Sequence, residues 1–214
     1  MSNCRDPEEI SQIYQAIIAG QKLVEASPSD EELLEDWVKF YQDVFQLKLT
    51  FNGALIVPAR KPGFDRLLVL AKGMTPQRLY DKCDELFPSW KYTDSNLDEV
   101  IKSDRTAKNG HYAVWVRNRQ EADEENWNFS ADQLKRLGTP EITLEEREVY
   151  ELKFFKETDD HMDKSNRTLC PGSRHTLGNV PSADWGGGGF GVDWHSPGSH
   201  CCRLRSRSVV SLPA

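Results

Sequence analysis

No run of about 18 apolar residues occurs in the chain, so no segment is expected to cross a membrane as a helix. The first residues lack a basic flank followed by an apolar stretch, so no secretory signal is expected and the cytoplasm is the default location. Basic charge is short. There are 27 Lys and Arg against 34 Asp and Glu, a formal net charge of −7, so a nucleic-acid surface built on overall basicity is not expected. The five cysteines (Cys4, Cys83, Cys170, Cys201 and Cys202) are odd in number and scattered, which fits a reducing compartment better than a disulfide framework. What remains is a chain of 214 residues, 38% hydrophobic and 29% charged, long enough for one substantial domain with a modest core.

A second set of absences is local. From Arg167 onward there is no Lys, Glu, Gln or Met, although the preceding chain is rich in Lys and Glu. This tail holds eight of the 14 glycines, and its five arginines against two aspartates give +3, leaving −10 for the rest. Such a shift marks a β-rich recognition surface rather than a catalytic site.

Residues 7–26 read as an amphipathic helix, with Ile10, Ile13, Tyr14, Ile17, Ile18 and Val24 on one face. A second helix opens on the capping box Ser29–Glu32 and carries the stripe Leu33, Leu34, Trp37, Val38, Tyr41, Val44 and Phe45. Together they predict a helical hairpin over residues 1–46, with a face able to join copies into a homo-oligomer. Residues 47–63 read as a connecting β-hairpin or linker, because Leu47, Leu49 and Phe51 alternate before the turn pair Asn52-Gly53. A strand is expected over residues 67–71, then a helix capped by Thr75 with Pro76 first and Leu79, Cys83, Leu86 and Phe87 on its apolar face. Residues 94–110 read as polar loop, 112–116 as a strand, and 121–137 as partly helical. Thr143 and Glu146 form another capping box, opening a helix that turns Val149, Leu152 and Phe155 to the core. In the tail, Phe190, Val192 and Trp194 alternate with smaller or polar residues as on a half-buried strand. The order, helices first and an irregular antiparallel sheet last, gives an α+β fold.

The tail carries a resemblance. The stretches Leu169-Cys170-Pro171-Gly172-Ser173-Arg174, Asn179-Val180-Pro181, Trp185, Phe190-Gly191-Val192-Asp193-Trp194 and Arg205-Ser206-Arg207-Ser208-Val209-Val210 resemble the end of variable proteins from diversity-generating retroelements. Residues 64–74, 110–125 and 142–157 also look like the upstream part of such proteins. The resemblance implies a C-type-lectin-like domain over residues 64–214, with a variable region at about 182–207. It also implies a surface whose codons are randomised at template adenines. Asn codons altered at their first two bases cannot give Lys, Glu, Gln, Met or Trp, and the tail lacks the first four. On this reading, Asp184, Gly186, Gly187, Gly189, Gly191, Asp193, His195, Ser196, Ser199, His200, Cys201 and Cys202 contact an unknown protein or surface ligand. Trp185 and Trp194 are expected in the core as large apolar residues. The run of glycines at 186–189 reads as a product of the same lottery.

Three other readings stand beside it. Asp193, His195, His200, Cys201 and Cys202 have the donor types for zinc, but their spacing matches no common structural zinc pattern, so no metal or cofactor is expected. A nucleophile pair of Cys201 with His195 or His200 lacks a third orienting group, so no catalytic residue is assigned and no enzyme is expected. Asp159, Asp160 and Asp163 around His161 could hold calcium, although loop aspartates after a helix usually form turns. The third reading is a structural assembly protein joined through the N-terminal helices. Arg203, Arg205 and Arg207 would point one way on a strand; packing of their stems over Trp185 or pairing with aspartates competes with nucleic-acid binding.

Overall fold

The computed structural model describes residues 29–51 and 55–212. The expected first helix (residues 7–26) and the Asn52-Gly53 turn lie outside the described residues. The chain divides after Leu33 into two units, and everything below except the first turn of α1 belongs to the second, Leu34–Ala214. The described residues form five helices and nine strands, a mixed α+β arrangement with mostly antiparallel pairing. No described helix is long and apolar enough to cross a membrane.

Helix α1 (Asp30–Phe45) starts on the expected capping box, with Glu32 N–H donating to Ser29 Oγ and Ser29 N–H to Glu32 Oε2. Its Trp37, Phe40 and Tyr41 are buried. Trp37 Nε1 donates to Leu67 O at 3.1 Å and Tyr41 Oη to Val69 O at 2.7 Å. Both carbonyls lie on β1 (Arg66–Leu70), which pairs antiparallel with β4 (Tyr112–Val116) in a two-stranded sheet. The helix thus covers a strand edge that would otherwise carry unpaired carbonyls. From Leu34 onward α1 is part of the domain, so the domain does not begin at residue 64 as expected, and the unit boundary falls inside this helix. Of the two readings for residues 47–63, β-hairpin or linker, the described residues 47–51 and 55–57 fit the linker, since they carry no strand. Phe51 is buried edge-on against His111, while Ile56 stays exposed.

Helix α2 (Pro76–Leu86) begins as expected, Thr75 Oγ1 accepting from Arg78 N–H, with Leu79 and Cys83 buried. Leu86, expected inward, is exposed, and Phe87 beyond the helix takes the buried place. β2 (Ser89–Lys91) follows, then α3 (Leu97–Val100) and β3 (Ile101–Ser103) inside the stretch read as loop. A 3₁₀ turn (Glu124–Asn126) and α4 (Ala131–Leu137) account for the partly helical region, and α4 ends on left-handed Gly138.

Helix α5 (Leu144–Thr158) is the axis of the domain. Both bonds of the Thr143–Glu146 capping box are present, and all of Leu144–Lys153 is buried, charged residues included. It packs on β1, on α2 and on the sheet built by the tail. A helix buried on all sides needs partners for its charges. Glu146 pairs with Arg105, Arg147 with Glu151 and Asp163, and Lys153 with Asp36.

The tail builds β5 (Arg167–Leu169), β6 (Ser173–His175), β7 (Val180–Gly186), β8 (Gly189–His195) and β9 (Leu204–Ser206). β6 pairs with β3, and the other four join β2 in a five-stranded sheet of order β2-β8-β7-β5-β9. The β7–β8 and β5–β7 pairs are antiparallel, but β2–β8 and β5–β9 are parallel, so the expected antiparallel sheet is mixed at both edges.

Candidate recognition face

The frame beneath the face is a buried polar hub. Asp163, left-handed at φ 55°, accepts from Arg147 Nε at 2.8 Å, Arg207 Nη2 at 2.7 Å and Thr168 Oγ1 at 2.5 Å. Arg207 also donates to the carbonyls of Arg119 and Gln120. The hub ties α5, β5 and the residue that follows β9 together. Two alternative groupings are not assembled here. Arg207 is buried with Asp163, so Arg203, Arg205 and Arg207 make no common basic face. Asp159 closes α5 in a left-handed conformation, and Asp160 pairs with Lys164 while Asp163 holds arginines, so the three aspartates share no cation site.

The helix-facing side of the sheet carries Ala183, Trp185, Phe190, Val192 and Trp194 in register. Phe190 and Val192 are fully buried. Trp185 is half-buried and stacks on His161 at 3.3 Å, and Trp194 is half-buried beside His175, so both tryptophans sit at the margins of the core.

The outer side is where the candidate residues gather. One register row runs Trp90 on β2, Gly191 on β8 and Asp184 on β7, then Arg167 on β5 and Leu204 on β9. The next holds Asp193, opposite Ser182 and Leu169. Arg167 binds both aspartates, Nε to Asp184 at 3.1 Å and Nη1 to Asp193 at 2.8 Å. Burial pushes the Asp184 carboxyl up even against the pull of Arg167. Burial and the nearby Arg167 charge lower the pKa of His195, whose Nε2 has no hydrogen-bond partner among the described residues. One end of this face is closed by Ala131 of α4 over Leu169, Val180 and Leu204. Around Trp90 and Tyr92, 41% and 70% exposed, it is open.

The twelve expected contact residues divide. Asp184, Gly189 and Gly191 are buried. A Cβ at Gly189 would lie 2.8 Å from the backbone oxygen of Pro88, and one at Gly191 2.6 Å from the Trp90 ring. Gly187 and Gly188 form the tight β7–β8 turn with φ of 64° and 84°, the left-handed pair such a hairpin requires. The geometry therefore favours glycine at 187, 188 and 189. Gly186 is half-buried beside Asp184, and Asp193 and His195 are half-buried on the outer face. Ser196, Ser199, His200, Cys201 and Cys202 lie in the β8–β9 loop, where all but Ser199 are exposed. That loop folds onto α4 and the chain before it. Pro197 O accepts from Asp132 N–H, His200 Nδ1 meets Asn128 Oδ1 at 3.3 Å, and Cys202 O accepts from Trp127 Nε1.

The alternative donor set for zinc is not assembled among the described residues. Asp193 is held by Arg167 and His200 by Asn128, and among the described residues no three His, Cys, Asp or Glu converge as metal ligands. The sequence reading missed Trp90, Tyr92, Trp127 and Arg167 as parts of this face. The three aromatics lie outside the tail, and only their exposure beside it marks them. No protein family, curated protein or solved structure matches this chain.

Proposed function

We propose that this protein recognises a protein or surface ligand through the outer face of its tail sheet and the β8–β9 loop, and that a retroelement of the diversity-generating kind varies this surface. The observation that carries the reading is the separation of roles within the tail. Phe190, Val192, Asp163 and Arg207 hold the sheet from behind, while residues 196–203 expose side chains on which little of the frame depends. Substitutions at such positions usually cost little, which is what a surface altered at random needs. The contact surface on this reading centres on Asp193, His195, Ser196, Ser199, His200, Cys201 and Cys202. Trp90, Tyr92 and Trp127 add large rigid side chains beside it, the kind that concentrate binding energy in interfaces. Gly189 and Gly191 drop out as contacts because neighbouring atoms occupy the space a side chain would need. A C-type-lectin-like domain remains part of this proposal.

The test is the DNA flanking the gene. The reading requires an imperfect repeat of the segment encoding residues 185–207, differing at adenines and lying beside a reverse-transcriptase gene. A complete flanking sequence without that repeat overturns the retroelement part and leaves an ordinary loop-bearing sheet.

A further inference from the structure

A second site lies away from the tail's outer face, in a cleft of about 100 Å³ between the start of α2, β3 and the first turn of α5. The cleft has room for a small molecule. Met74, Pro76 and Ile101 make apolar walls. Glu145, only 2% exposed, and Asp98 supply acid inside, while the exposed Lys102 and Lys108 supply base at the mouth.

Glu145 is held in place by a relay of hydroxyls. Leu144 N–H donates to Ser173 Oγ at 2.9 Å, Ser173 and Ser103 hydroxyls meet at 2.7 Å, and Ser103 Oγ donates to Glu145 Oε2 at 2.7 Å. Among the described residues, no ion pair is formed by this carboxyl. Arg105 is committed to Glu146, and Arg147 to Glu151 and Asp163. Further acid lies behind it, since Glu148 is fully buried with neither oxygen partnered among the described residues. Burial raises the Glu145 pKa to about 7, so an ammonium group placed beside it would favour the ionised carboxylate. An anion at the start of α2 is disfavoured, because Gln77 N–H is already bonded to Asp98 and Arg78 N–H to Thr75.

We propose that this cleft binds a small α-amino acid or a similar zwitterion, with its ammonium against Glu145 and Asp98 and its carboxylate toward Lys102 and Lys108. Acid at the floor and base at the rim match the two ends of such a molecule, and the short apolar walls limit its side chain. The site is independent of the recognition face and of any retroelement.

The experiment is calorimetric titration of the full chain with L-alanine, with ethylamine and propionate as the two half-ligands. Saturable alanine binding, with each half-ligand weaker on the order of tenfold or more, supports the proposal. Glu145→Gln is expected to remove alanine binding by a similar factor, and Lys102→Ala with Lys108→Ala to erase the preference for alanine over ethylamine. Should Glu145→Gln fail to fold, the ¹³C resonance of the Glu145 carboxyl in the wild type replaces it, and alanine must shift its titration to lower pH. No saturable binding of alanine, equal binding of ethylamine, or an unmoved Glu145 titration overturns the proposal.

Discussion

The hub at Asp163 and Arg207 and the loop of residues 196–203 stand in opposite physical situations, although Arg207 and the loop are neighbours in sequence. At the hub, Asp163 and Arg207 are buried and each answers to several partners, Asp163 to Arg147, Thr168 and Arg207, and Arg207 also to the carbonyls of Arg119 and Gln120. In the loop, most side chains face solvent, and the bonds that seat it are largely carried by backbone atoms such as Pro197 O and Cys202 O. A loop seated by its backbone can change side chains without losing its position. A hub seated by side chains cannot. The shared composition of the tail hides this difference, because arginine, aspartate, serine and glycine serve in both places.

The comparison breaks most easily at Asp163. Asp163→Ala leaves two buried guanidinium groups short of their counter-charge, and the expected loss is about 3–5 kcal/mol by chemical denaturation. A loss below about 1 kcal/mol would mean the hub is no more binding than the loop. A second contrast uses one residue type in two places. Gly189→Ala presses a methyl group on a backbone oxygen at 2.8 Å and is expected to cost about 1–3 kcal/mol. Gly198→Ala meets nothing closer than 3.9 Å and should fall within about 0.5 kcal/mol of wild type by thermal unfolding. Equal effects would erase the line between frame and surface. The smallest effects are expected for His200→Ala, Cys201→Ser and Cys202→Ser, each within about 0.5 kcal/mol by denaturant midpoint. A cost above about 1 kcal/mol for any of them would move that position into the frame.

Local signals were legible where the chain's own chemistry sets them. Ser29 with Glu32, Thr75 with Pro76 and Thr143 with Glu146 each mark a helix start that the structure reproduces. The alternation of Phe190 and Val192 gave the buried side of β8. Features that depend on distant segments were not legible. α3 and β3, at four and three residues, are too short to show a period. α5 reads as half-solvated because its buried faces carry Glu146, Arg147 and Glu151, and their partners lie elsewhere in the chain. On the outer face of the tail sheet, the exposed loop could be read from composition, but the approach of Trp90 to Gly191 and of Pro88 to Gly189 could not. Those contacts arise only when β2 meets β8.

That meeting has a kinetic side. Ser89 pairs with Phe190, so the edge strand β2 waits for a partner about a hundred residues further along the chain. Closure of so long a loop is entropically costly, and parallel pairing at that separation is slow to form. The hub adds a similar requirement, because Arg207 must arrive before Asp163 is fully answered. A growing chain therefore holds α2 and α5 before the sheet that packs on them can be completed. Changes in the tail are then expected to register first in how quickly, and how cleanly, the domain closes.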